Sequence, residues 1–123
     1  MEGRVPPHSA EAEKSVLGAA MLSKDALFDV MEVVKPADFM MKSQGDLPAM
    51  IDLNRKNAPV DALTVAEELK RETALEMVGG RAYIASLSSM TPTTSNAMEY
   101  GRIVAEKASV RRLIETADDI VTK

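Results

Sequence analysis

The sequence predicts an all-α protein, a small orthogonal helical bundle followed by one long helix. Three observations predict it. The chain of 123 residues holds 17 Ala and 9 Met but only two Phe, two Tyr and no Trp, a composition that favours helix over strand. Apolar residues recur at spacings of three and four along much of its length. Beyond Pro92 no further Pro occurs and the one Gly is Gly101, so nothing there interrupts a helix.

The helices can be placed in order. Pro6 and Pro7 bar a helix, Ser9 then stands at an N-cap position, and Glu11 and Glu13 fall in the first turn that a helix dipole favours. The first helix is expected over 10–22, with small residues Gly18, Ala19 and Ala20 that let a neighbour approach closely. Ser23 caps a second, short helix whose Leu27, Val30, Met31 and Val34 face inward, and Pro36 ends it. A third helical stretch lies between 38 and 54, but Gly45 and Pro48 predict a break in it. Asn57-Ala58-Pro59-Val60 reads as a turn and Asp61 as the cap of a fourth helix over 62–71. There Val65, Ala66 and Leu69 face inward, and Glu67, Glu68, Lys70 and Arg71 are expected to face water. Gly79-Gly80 stops the preceding turn, and Tyr83, Ile84 and Leu87 mark a fifth helix ending near Met90-Thr91-Pro92.

The last stretch differs. Tyr100, Ile103, Lys107, Val110, Ile114, Ala117 and Val121 alternate at spacings of three and four, a heptad seam. A helix over 95–123 would be about 40 Å long at 1.5 Å per residue, more than a globule of this size needs. Packing on the globule accounts for Tyr100 and Ile103. Farther out, Leu113 and Ile120 widen the apolar face where the globule should have ended, so this end is expected to contact another segment or subunit.

Composition excludes much chemistry. Leu, Ile, Val and Phe number 28, enough with Ala and Met for a packed core in a single soluble domain. With no Cys and His8 alone, thiolate zinc sites and the usual nucleophile and base pairs cannot be assembled. His8 with Glu11 and Glu13 is no metal set, because carboxylates two apart on a helix point to different faces. Asp118 and Asp119 beside Glu115 read as solvated surface charge. Gly79-Gly80 belongs to no phosphate-loop pattern. The net charge of −4 opposes direct nucleic-acid binding as the main task. Lys107, Arg111 and Arg112 form a basic patch one turn long, expected to pair with Glu106 and Glu115 along the helix. The first ten residues lack a signal-peptide core and no apolar run approaches a membrane span, which points to a cytoplasmic protein without a membrane partner. The residues alone thus favour a binding or scaffolding module without a cofactor, and leave open an autonomous homodimerising helical regulator.

Several segments carry a resemblance. Val5-Pro6-Pro7-His8-Ser9-Ala10-Glu11-Ala12-Glu13-Lys14-Ser15-Val16-Leu17-Gly18 resembles the opening of the N-terminal domain of bacterial replicative DNA helicases, the DnaB family. Lys35-Pro36-Ala37-Asp38-Phe39, Pro59-Val60-Asp61-Ala62-Leu63-Thr64-Val65, Val78-Gly79-Gly80-Arg81-Ala82-Tyr83-Ile84, Thr91-Pro92-Thr93-Thr94-Ser95-Asn96 and Tyr100-Gly101-Arg102-Ile103-Val104-Ala105-Glu106-Lys107 resemble further family segments in family order. One stretch departs. After Phe39 the family usually has Tyr, a His four residues on, and an Ile-Phe-x-Ala-Met run, where this chain has Met40, Gln44 and Leu47-Pro48-Ala49-Met50, one residue shorter.

The resemblance implies a globular bundle over 1–92 and, over 93–123, the first arm of a helical hairpin whose second arm lies beyond Lys123. It implies that the motor domain, where ATP and magnesium bind, also lies beyond Lys123, so that this part neither hydrolyses ATP nor unwinds DNA. It further implies self-pairing into dimers, a hexamer in the full-length protein, and docking of the primase C-terminal domain. The candidate interface residues are Tyr83, Val110, Ile114, Ala117, Ile120 and Val121.

Overall fold

The computed structural model describes residues 7–40, 44–71, 75, 80–89 and 93–122. Among them are six α-helices and one 3-10 turn: α1 (Ala10–Leu22), α2 (Lys24–Val33), the 3-10 turn Pro36–Asp38, α3 (Asp46–Arg55), α4 (Ala62–Arg71), α5 (Gly80–Ser89) and α6 (Ala97–Thr122). No strand occurs among the described residues, and the all-α expectation holds.

Local chemistry sets the first boundaries. The Ser9 hydroxyl accepts the Ala12 N–H at 3.2 Å and starts α1. Ser23 serves both neighbours: its own N–H donates to the Ala19 carbonyl, closing α1, while its hydroxyl accepts the Ala26 N–H at 3.2 Å and opens α2. Asp61 and Thr64 exchange side-chain and backbone bonds at 2.9 Å ahead of α4, a reciprocal cap. At the end of α3, Asn57 takes the left-handed conformation with φ 59°, and the Ala58 N–H returns to the Leu53 carbonyl. Gly80, the first residue of α5, has φ 77°, which glycine adopts without steric cost, and its N–H bonds back to the Leu75 carbonyl.

Pro48 does not break α3. The helix begins at Asp46, so Pro48 sits in the first turn, where backbone N–H groups have no acceptor within the helix and a missing one costs nothing. The departure from the family pattern over 40–50 therefore leaves a continuous helix from Asp46 to Arg55. Residues 41–43, Gly79 and the Met90-Thr91-Pro92 boundary lie outside the described residues.

The core is organised around α1, which packs against α2, α3, α5 and α6. Val16, Leu17, Ala19 and Ala20 are completely or almost completely buried, consistent with a helix enclosed on most sides. Leu27, Val30, Phe39, Leu47, Met50, Val65, Leu69, Ile84 and Leu87 complete the core. Helix α4 packs against both α3 and α5.

Two acidic residues expected on the surface or in a cap are buried. Glu68 is 4% exposed because its face of α4 meets α3, where Lys56 Nζ lies 3.0 Å from its carboxylate and Arg71 adds a second cation at 3.5 Å. Glu13, also buried, accepts the Met40 N–H at 3.1 Å and ties α1 to the segment after the 3-10 turn. Both carboxylates remain affordable inside because each has a polar partner.

Candidate functional site

The 26 residues of α6 make a helix about 39 Å long. Its first half lies on α1, α2 and the 3-10 turn. The docking face is made mostly of small residues: Ala97, Gly101 and Ala108 are buried together with Val104, at spacings of four, three and four. Small residues here permit close approach. A Cβ placed on Gly101 would lie 2.6 Å from Val33 Cγ2, so α2 and α6 meet at this glycine with no room for a methyl group.

The heptad seam read from the sequence is the opposite face. At about 100° per residue, Ile103, Val110, Ile114, Ala117 and Val121 project away from the Gly101–Ala108 line. Ile103 does not pack on the globule as expected and is exposed, whereas Tyr100, at the border of the two faces, is half-buried. The reason is phase: the globule takes the small face and leaves the large one open. Beyond Arg112 the described side chains are all exposed, including Leu113 at 70%, Ile120 at 71% and Val121 at 84%.

Val110, Ile114, Ala117, Ile120 and Val121 thus stand together on one open face, and Leu113 belongs with them. Tyr83 does not. It sits half-buried on α5, whose neighbours are α1 and α4, with Lys14 Nζ 6.0 Å from its ring centre. The family resemblance put Tyr83 on a matched segment but carried no information on its position relative to α6.

The basic patch also departs from expectation. Arg111 and Arg112 do not pair along their own helix. Arg111 donates to the Pro7 carbonyl at 2.7 Å and to the Asp38 carbonyl at 2.5 Å, and Arg112 pairs with the Asp38 carboxylate. Asp38 is buried, and a buried carboxylate draws the nearest available guanidinium in preference to a solvated glutamate. The sequence offered no sign of this long-range pairing.

Asp46 is the other polar residue that sequence reasoning missed. It is fully buried at the start of α3, neither carboxylate oxygen has a hydrogen-bond partner, and burial pushes its pKa up to about 7. At the surface, Arg81 bonds to Glu67 at 2.6 Å and holds the Glu67 carboxyl below its usual range.

An open cavity of about 370 Å³ between the α1–α2 junction and the α3–α4 loop is bordered by Leu22, Lys24, Leu27, Asn57 and Val60. Among the described residues no group of three His, Asp or Glu side chains is placed to hold a metal ion, and no helix is long and apolar enough to cross a membrane.

Comparison with known proteins identifies this architecture. Residues 5–106 match the model of the DnaB-like helicase N terminal domain. The replicative DNA helicase DnaB of Mycobacterium leprae (strain TN) is 46% identical over 120 residues, covering 97% of this chain and 20% of that protein. The replicative DNA helicase DnaB of Geobacillus stearothermophilus is 42% identical over 118 residues, 95% of this chain and 26% of that protein. The chain therefore spans about a fifth to a quarter of the length of these curated relatives. The crystal structure of the N-terminal domain of DnaB helicase from Mycobacterium tuberculosis superposes with a TM-score of 0.92 at 45% identity, over 96% of this chain and 86% of that one. Sequence, relatives and fold agree that the chain belongs to the DnaB-like helicase N-terminal domain family.

Proposed function

We propose that this domain assembles a replicative helicase and docks primase on it, coupling priming to unwinding in the bacterial cytoplasm. The observation that carries the proposal is the open apolar face on the half of α6 that leaves the globule. Val110, Ile114, Ala117, Ile120 and Val121 pair with the same face of a second copy, and pairs of domains build the collar of a hexamer. ATP and magnesium belong to the motor domain of the full-length protein, so this domain acts by position and carries no catalytic group.

Magnitudes favour a modest contact. Fully burying a Val, Leu or Ile side chain contributes about 1.5–3 kcal/mol, and the exposed stripe is short. Against it stand association costs of about 4–15 kcal/mol. One pair is therefore concentration-dependent, and several equivalent sites around a ring strengthen primase capture by avidity. Tyr83 is proposed as a separate contact for primase, because α5 does not adjoin the open half of α6.

Sedimentation equilibrium over a concentration range, alone and with the primase C-terminal domain, tests the proposal. A reversible dimer that gains primase mass is expected. Ile114→Asp should weaken the dimer while leaving the melting temperature near that of the parent chain. A strict monomer indifferent to primase would overturn the proposal for this domain.

A further inference from the structure

The docked and projecting halves of α6 meet at residues 111 and 112, and both arginines there turn back to the globule. Arg111 spans two backbone carbonyls, those of Pro7 and Asp38. Arg112 takes one oxygen of the Asp38 carboxylate, while the other accepts the Lys35 N–H at 2.9 Å. The acceptor is thus held on a turn that Pro36 stiffens. Upstream, α6 meets its neighbours through Gly101, Val104 and Ala108, contacts that are apolar and nondirectional. Downstream, the described side chains make no packed layer. The directional bonds therefore sit at the last point where the globule can steer the helix.

We infer that Asp38, Arg111 and Arg112 form an ionic clamp that fixes the direction in which the second half of α6 leaves the globule, with salt as its release. The clamp is reachable by solvent. Arg112 is more than half exposed, and both arginines border an open cavity of about 380 Å³ shared with Phe39, Met40, Gln44 and Glu115. Ions at high concentration screen such a pair, leaving the helix to pivot on its small-residue face. A pivoting arm presents its apolar face in many directions and pairs less well, a consequence that rests on the pairing proposed above.

The chain has no cysteine, so spin labels can be placed freely. Labels at Lys70→Cys and Asp119→Cys report the exit direction, and labels at Lys70→Cys and Glu106→Cys report the docked half. Labelled chains are diluted with unlabelled ones so that distances within one chain are read. In Arg112→Gln, and in the parent chain at about 1 M salt where the screening length is about 3 Å, the 70–119 distance distribution should about double in width. The 70–106 distribution should not change, and Arg112→Lys should restore a narrow 70–119 distribution at low salt. The dimer dissociation constant should rise about tenfold in Arg112→Gln. An unchanged 70–119 width in Arg112→Gln overturns the clamp. Broadening with an unchanged dissociation constant overturns its link to pairing. If the parent chain stays monomeric throughout, the pairing proposal fails, while the distances still decide whether the clamp exists.

Discussion

The two halves of α6 are one continuous helix in opposite situations. Before Arg111 its small face is buried on α1 and α2, and after Arg112 every described side chain is in solvent. Yet most of the larger apolar residues, Val104 excepted, are spread along both halves on the face that the globule does not use. The lesson is that hydrophobicity alone does not decide which face of a helix docks. Shape decides: Gly101 and Ala108 allow an axis-to-axis approach that Ile103 and Val110 would prevent, and close packing repays the smaller area of each side chain.

The comparison can be broken most severely by placing the same charge on each half. Val104→Asp puts an unpaired carboxylate against α1 and α2, where Val104 is 1% exposed. A loss of about 4 kcal/mol or more is expected, enough to shift the urea midpoint strongly or to prevent folding. Ile114→Asp, ten positions farther along, should stay within about 0.5 kcal/mol of the parent in the same titration. Equal losses in the two variants at a dilution where the chain is monomeric would mean that the far half packs on its own globule in solution.

A second test separates the globule from the arm by pH. Asp46 is protonated in the folded state up to a pKa of about 7, raised from 3.8 by burial, whereas the unfolded chain releases this proton near the ordinary value. Between these values the folded state binds more protons, so stability should fall as pH rises through that window and level off above it. The loss is on the order of 4 kcal/mol. Neither carboxylate oxygen of Asp46 has a hydrogen-bond partner in its buried place, so an apolar side chain suits this site better than a carboxylate. Asp46→Ile should therefore raise the urea midpoint at pH 8 and flatten the pH profile of stability. The projecting half of α6 should keep its association constant in this variant. A pH profile unchanged by the substitution would show that Asp46 finds a partner or water in solution.

Much of this was legible because it is local. The caps at Ser9, Ser23 and Asp61 act within three residues of themselves, and they set the starts of α1, α2 and α4 where the sequence put them. The open face of α6 was legible too, since large apolar residues at heptad spacing stand out. The docking face was not, because Ala and Gly carry little hydrophobic contrast. Burial of Glu13 and Glu68 depends on where Met40 and Lys56 arrive, and the Arg112–Asp38 pair joins distant parts of the chain, so no spacing rule reveals them. Pro48 misled because its cost depends on where the helix starts, which Gly45 and Asp46 decide.

The mildest test addresses the shape argument itself. Gly101→Ala improves intrinsic helix propensity by about 1 kcal/mol, so on an exposed helix it would stabilise. At this position the new methyl group would meet Val33 Cγ2 at 2.6 Å, and a β-branched side chain at the end of a packed helix has few rotamers into which to retreat. Overpacking of this kind costs about 1–3 kcal/mol, which offsets or exceeds the propensity gain. The expected net result is a loss of up to about 2 kcal/mol, read from the urea midpoint. Val33→Ala should reverse it, because the smaller side chain removes the clash, and the double variant should be more stable than the sum of the single effects. If Gly101→Ala alone were stabilising, α6 would be free to lift off α2. Its docking would then rest on Val104 and Ala108 rather than on close approach at the glycine.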